Sequence, residues 1–133
     1  MLEAARELQN RGPRYIIVKR GEYGAVLFGE DDVFMVPAFP TWEVRDTTGA
    51  GDSFAGGFVG YLDAVGTIDA AAMRGAMVFG SVVASHTVED FSINGLLRAT
   101  PESLAERYAR LAEITRIDAS VHFNPRDLVA EGV

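Results

Sequence analysis

The spacing of apolar positions changes along the first 36 residues, and each change marks a new element. Leu2, Ala5 and Leu8 recur at helical spacing and Gly12-Pro13 follows as a stop, which predicts one short N-terminal helix. Tyr15 to Lys19, Gly24 to Gly29 and Val33 to Val36 are compact apolar runs bounded by turn residues, and they read as three strands. The links Gly21-Glu22-Tyr23-Gly24 and Gly29-Glu30-Asp31-Asp32 are short, which favours antiparallel neighbours inside a sheet expected to be mixed.

Pro37 and Pro40 keep the following stretch extended as far as Val44 and the glycine turn at Gly49 to Gly51, and a helix is predicted from about Ala50. That helix sets Phe54, Phe58, Tyr61 and Leu62 on one side. Gly56, Gly57 and Gly60 leave room for close packing, so it reads as a buried central helix. A second, largely apolar helix is predicted from Asp69 to about Ser85. Thr100-Pro101 caps a third, in which Leu104, Tyr108, Leu111 and Thr115 follow the helical repeat. No element is assigned after Asp118. Strands followed by helices, with no internal repeat, low-complexity tract or linker, predict an α/β layer structure occupying residues 1–133 as one unit.

Composition narrows the partners. With 48% apolar and 23% charged residues the 133-residue chain has the balance of an ordered globular protein. A net charge of −7 leaves no broad basic surface for a nucleic-acid backbone, so nucleic acid is excluded as a partner. Glu3, Arg6 and Glu7 give the start none of the character of a secretory leader, and Asp69 and Arg74 interrupt the apolar stretch at 68–85, which suits a buried helix rather than a bilayer span. The absence of cysteine excludes disulfides and thiolate metal sites. A cytoplasmic protein without membrane contact is expected.

An acidic chain that binds an anionic nucleotide needs a local positive device, and Asp46-Thr47-Thr48-Gly49-Ala50-Gly51-Asp52 offers one. The glycines allow a tight turn with unobstructed amides, and the helix behind them adds the partial positive charge of its first turn. No Lys-Ser or Lys-Thr pair follows, so the segment is not a P-loop, and it lacks the last glycine of the dinucleotide fingerprint. Asp52 falls at the helix start, where a carboxylate could accept an alcohol's proton or could simply cap the helix; composition leaves the two open.

The run from Asp46 to Phe54, continuing Ala55-Gly56-Gly57-Phe58, resembles the C-terminal signature of ribokinase-like (PfkB) carbohydrate kinases. Upstream, Val18-Lys19-Arg20-Gly21-Glu22-Tyr23-Gly24-Ala25 resembles the family's strand and glycine turn beside the nucleotide. The resemblance implies the C-terminal portion of a three-layer α/β/α sandwich and an ATP-dependent kinase that moves the γ-phosphoryl group to a hydroxyl of a sugar or nucleoside. It implies that Asp52 is the base, that the amides of Gly49, Ala50, Gly51 and Asp52 form the anion hole, and that Ser53 supports the helix start. Lys19, Gly21 and Gly24 would lie along the ATP, the glycines permitting close approach, although Lys19 and Arg20 also suit a solvated turn. Magnesium (Mg2+) would accompany ATP. Asp46 and the Thr48 carbonyl match part of a potassium (K+) site, while Asp46 could equally cap the Thr47-Thr48 turn.

The helix from Met73 to Ser85 would wall the adenine pocket, with Met77 and Phe79 as core residues. Ser85-His86-Thr87-Val88-Glu89-Asp90-Phe91-Ser92 departs from the ribokinase subgroup and resembles uncharacterised sugar-kinase or adenosine kinase-like members. His86 reads as a partly buried hydrogen-bonding residue rather than a catalyst, His122 earns no role, and Trp42 reads as a packing residue rather than a substrate-stacking one. The resemblance covers about the C-terminal half of the family's domain. The acceptor-binding half and the Asn and Glu motif tied to magnesium have no counterpart, so the expectation is a fragment or one piece of an assembly, self-associating or needing an N-terminal half, and inactive on its own. A non-catalytic nucleotide-binding or interaction module is the alternative.

Overall fold

Two tight links fold the first strands against one another. In the computed structural model, which describes residues 1–30 and 32–116, β1 (Ile16–Lys19), β2 (Ala25–Phe28) and β3 (Val33–Val36) form a three-stranded sheet in the order β1-β2-β3, with both pairs antiparallel. The antiparallel neighbours follow from the short links; the mixed sheet expected from the sequence is not what these strands form, because a parallel pair needs a crossover connection and none of the three is joined by one. Between β1 and β2 the chain makes a 3-10 turn over Gly21–Tyr23, and Gly24 leaves it at φ +79°, in the left-handed region. A Cβ at Gly24 would collide with the Val36 carbonyl and Pro37, so close backbone packing alone demands glycine there.

Register places Ile16, Val18, Val26, Phe28, Val33 and Met35 on one face of the sheet. The helix α1 (Leu2–Gln9) packs on this face through Ala5, against Val26 and Phe28, and leaves Val33 and Met35 exposed. The opposite face carries Ala25, Leu27 and Val36 into the main core, where they meet Phe54, Met73, Met77, Val82 and Leu111.

Those last residues come from three helices. The helix α2 (Ala50–Val65) and the helix α3 (Ala70–Val88) pack along each other, and α5 (Pro101–Ile114) lies on α3. Thr100 and Ser103 close a reciprocal capping box at the start of α5, as the Thr100-Pro101 signal predicts. Asp69 caps α3 by accepting from the Ala72 amide.

Three expectations are corrected here. First, α3 is the buried central helix and α2 is not: Phe54 and Gly57 are the buried residues of α2, while Ala55, Gly56, Val59 and Gly60 face outward. Second, α3 runs on to Val88, because Ser85, His86 and Thr87 are buried on its inner side despite their polarity. Third, a short helix α4 (Asn94–Leu97), with no signal in the sequence reading, presses Gly95 against the His86 carbonyl, where a Cβ would clash. Among the described residues, no helix is long and apolar enough to cross a membrane. His122 and the chain after Asp118 lie outside the described residues.

Candidate active site

The glycine turn of the motif is anchored on the C-terminal end of α3. The amides of Arg45 and Asp46 both donate to the Val88 carbonyl, at 2.8 and 3.3 Å, and the Thr87 hydroxyl donates to Ser53 Oγ at 2.7 Å. These bonds fix the two ends of the segment that enters α2. Within it, Thr48 N–H donates to Asp46 Oδ1 at 2.9 Å, closing a side-chain turn. The Thr48 amide, followed by the Thr48 hydroxyl, holds the Asp46 carboxyl below its ordinary pKa.

Gly49 sits at φ +79° as the N-cap of α2, and no side chain caps the helix. Asp52 therefore does not cap; it lies in the first turn with its carboxylate exposed to solvent. The Ala50 and Asp52 amides are used locally, donating to the Thr47 and Gly49 carbonyls at 3.2 and 3.1 Å. Among the described residues, the amides of Gly49 and Gly51 have no backbone acceptor, so they are the donors free to meet an anion at the positive end of the helix.

Lys19, at the end of β1, reaches this turn. Its Nζ donates to the Gly51 carbonyl at 3.0 Å, across 32 residues of sequence. Arg20 instead lies over the Tyr23 ring, 5.7 Å from its centroid. Part of this region lines a cleft of about 820 Å³, with Lys19, Gly21, Gly24, Thr47, Ala50 and Gly51 in its wall, while Gly49 and Asp52 are not among its lining residues. Ser81, Ala84, Ser85 and Val88 of α3 form another wall. A cleft of this size accommodates a nucleotide.

Other candidates fall away from it. His86 is 7% exposed and does not line the cleft, and among the described residues its Nε2 has no hydrogen-bond partner, so the histidine expected to be partly buried and hydrogen-bonded is buried with that nitrogen unpaired there. Trp42 is fully exposed, which overturns its reading as a packing residue: the proline-flanked segment holds it outward. Met77 is completely buried in the core, whereas Phe79 is half-buried outside the core clusters and packs with Tyr61 and Tyr108 at centroid distances of 5.9 and 6.4 Å.

The sequence reading missed a polar cluster beside the cleft. Thr41 Oγ1 donates to Glu89 Oε1 at 2.6 Å, Arg107 donates to Glu89 Oε2 at 2.7 Å and to Ser85 Oγ at 2.8 Å, and the Arg107 guanidinium lies 5.1 Å from the Phe39 ring centroid. Burial raises the Glu89 pKa, yet the hydrogen bonds from Arg107 and Thr41 outweigh it and hold the carboxyl below its ordinary value. Thr41 and Glu89 are 48 residues apart, so no local pattern could have paired them.

A helix start whose Gly49 and Gly51 amides have no backbone acceptor among the described residues, with a lysine joined to it and an exposed carboxylate in its first turn, offers a place for an anion beside an acidic side chain. The chain belongs to the pfkB family of carbohydrate kinases, whose profile matches residues 1–97. It is 44% identical over 78 residues to a deoxyribokinase from Salmonella typhimurium, covering 59% of this chain and 25% of that protein. Against a 1-phosphofructokinase from Haloferax volcanii it is 40% identical over 82 residues, covering 62% and 26%. The fold is similar to that of the aminoimidazole riboside kinase from Salmonella enterica, solved with aminoimidazole riboside and an ATP analogue, at a TM-score of 0.70 and 29% identity, covering 80% of this chain and 35% of that one. The chain thus spans about a quarter of the length of the curated relatives it matches.

Proposed function

We propose that this chain forms the phosphate-binding and base-carrying part of an ATP-dependent kinase that transfers the γ-phosphoryl group to a hydroxyl of a sugar or nucleoside. The observation that carries the reading is the Lys19 to Gly51 hydrogen bond at 3.0 Å, which joins the two motifs across one cleft. ATP enters along Lys19, Gly21 and Gly24, and its terminal phosphates meet the amides of Gly49 and Gly51. Lys19 adds a positive charge, and Asp52 receives the acceptor's proton as the oxygen attacks phosphorus in line with the departing ADP. The Ala50 and Asp52 amides join the anion hole when the turn exchanges its own short hydrogen bonds for the phosphate.

In the complete enzyme the sheet continues beyond β1 into a mixed sheet within a three-layer α/β/α sandwich. This is supported by α1 on one face and α2, α3 and α5 on the other. Among the described residues no three carboxylate or imidazole side chains converge on one point, so magnesium would be held chiefly by the ATP phosphates, whose charge it neutralises. Potassium fits the residues only in part. Asp46 and the Thr48 carbonyl are the oxygen ligands this chain would give it, but the Asp46 carboxylate already serves its own turn.

The test is Asp52→Asn in a domain completed to the length of its relatives, assayed on a panel of sugars and nucleosides. Turnover should fall at least about 100-fold with ATP affinity nearly unchanged, as for a lost general base. Near-normal turnover would remove Asp52 from the base role.

A further inference from the structure

Residues 37–46 form neither helix nor strand, yet they make one side of the cleft through Ala38, Phe39, Pro40, Thr41 and Val44. Such a strap holds its place only through tethers. Its first end is fixed by Ser81 Oγ donating to the Pro37 carbonyl at 2.9 Å, and its last end by the Arg45 and Asp46 amides on the Val88 carbonyl. Among the described residues, its middle hangs on one polar tether, the Thr41 hydroxyl on Glu89, supported by the Phe39 ring beneath the Arg107 guanidinium.

Glu89 is in turn held by Arg107, which comes from α5, the helix that lies on α3. Arg107 binds Glu89 and Ser85 together, so it links the strap to the α3 wall opposite. Both members of the ion pair are mostly shielded, at 21% and 29% side-chain exposure, so solvent screens it less than the exposed pairs elsewhere. An isolated structural pair would need no third partner on the strap, and this one has two.

We propose that Glu89 and Arg107 are positioning residues that latch the strap through Thr41 and so set the width of the cleft in which ATP is held. The proposal rests on the reading of the cleft as the ATP site. Neither residue touches the reacting atoms; each acts by holding Phe39 to Thr41 at a fixed distance from α3. Arg107 is suited to the task because its planar fork can serve Ser85 and Glu89 at once, whereas a lysine offers one point of charge.

Trp42 supplies the readout. It is the chain's one tryptophan, adjoins Thr41 in the strap and is fully exposed, so its fluorescence anisotropy reports strap motion without any ligand. Two disrupting variants of the 133-residue chain, with Arg107→Lys as a conservative third, are compared with wild type: Arg107→Met, which keeps an apolar stem over Phe39, and Thr41→Val, which removes only the strap's end of the latch. Melting temperature is recorded for each, and ATP binding is measured by equilibrium dialysis with magnesium. Both variants should lower the Trp42 anisotropy, and both should weaken ATP binding about tenfold, the size expected when a charge-assisted hydrogen bond is lost. Thr41→Val should do so with an unchanged melting temperature, and Arg107→Lys should recover part of the Arg107→Met loss.

Wild-type anisotropy and affinity in Thr41→Val would overturn the latch and leave Arg107 as a packing residue between α3 and α5. The anisotropy arm decides this independently of ATP. Absence of saturable ATP binding by the wild-type chain would instead contradict the phosphate-site reading.

Discussion

His86 shows how one side chain can carry a cost that the fold must absorb. Burial, reinforced by the positive charge of Arg107 and opposed by Glu89, lowers its pKa from 6.5, and its Nε2 is left without a partner. In the unfolded chain the imidazole takes up a proton near its ordinary value, while in the folded chain it does so only at lower pH. Between those values the unfolded state binds more protons, so folding stability should fall as the pH drops below about 6.5. Denaturant midpoints measured across that range should show the decline in wild type and a flatter profile in His86→Gln. An equal slope in both would mean that other groups carry the titration.

Glycines of α2 divide by their surroundings in a way the sequence could not reveal. A Cβ at Gly57 would lie 2.8 Å from Val83 Cγ2 and 3.2 Å from Gly80 Cα, so α2 and α3 approach here as closely as two backbones allow. Gly56, its neighbour, has nothing within 4 Å. Gly57→Val should therefore cost about 1–3 kcal/mol by overpacking, whereas Gly56→Ala should stabilise by about 0.5–1 kcal/mol by relieving the helix of a flexible residue. Thermal denaturation of the two variants gives the comparison, and opposite signs are the expected result.

The same contrast explains what was legible beforehand. Elements set by neighbouring residues could be read: the three strands between glycine turns, the capped α5, and the α2 start at Ala50. The Asp46 to Asp52 segment could be read as a turn into a helix because its signal lies in seven consecutive residues, and Lys19, singled out by a second motif, does reach that turn. What depended on distant packing could not. Ser85, His86 and Thr87 look like a polar helix end, but tertiary contact with α4 and α5 buries them within α3. The latch joins positions 41, 89 and 107, which meet only after the strap and α5 have docked. Trp42 misled because aromatic residues are usually buried, and its extended, proline-flanked backbone turns it to solvent.

At the scale of the whole molecule, the sheet is covered unevenly. Among the described residues, one face is filled by α2, α3 and α5, while on the other α1 reaches only as far as the β1 and β2 side chains, leaving Val33, Met35, Leu2 and Leu8 exposed together with an edge of β1 that pairs with no other described strand. An open strand edge beside an apolar face favours association. Size-exclusion chromatography with light scattering on the 133-residue chain should show concentration-dependent self-association, reduced by Met35→Lys on the open face. A monomer at all concentrations would show that α1 covers more than its contacts indicate.

The account depends on where phosphate sits. Titration of the 15N-labelled chain with magnesium ATP, followed by amide chemical shifts, observes that position directly. Saturable shifts should concentrate at Gly49, Gly51 and Asp52 and at Lys19 to Gly24, and Gly51→Val should suppress them by crowding the turn and displacing the Lys19 amine. Saturable shifts confined to other surfaces, or none at millimolar ATP, would contradict the claim that this turn and lysine form the nucleotide-phosphate site.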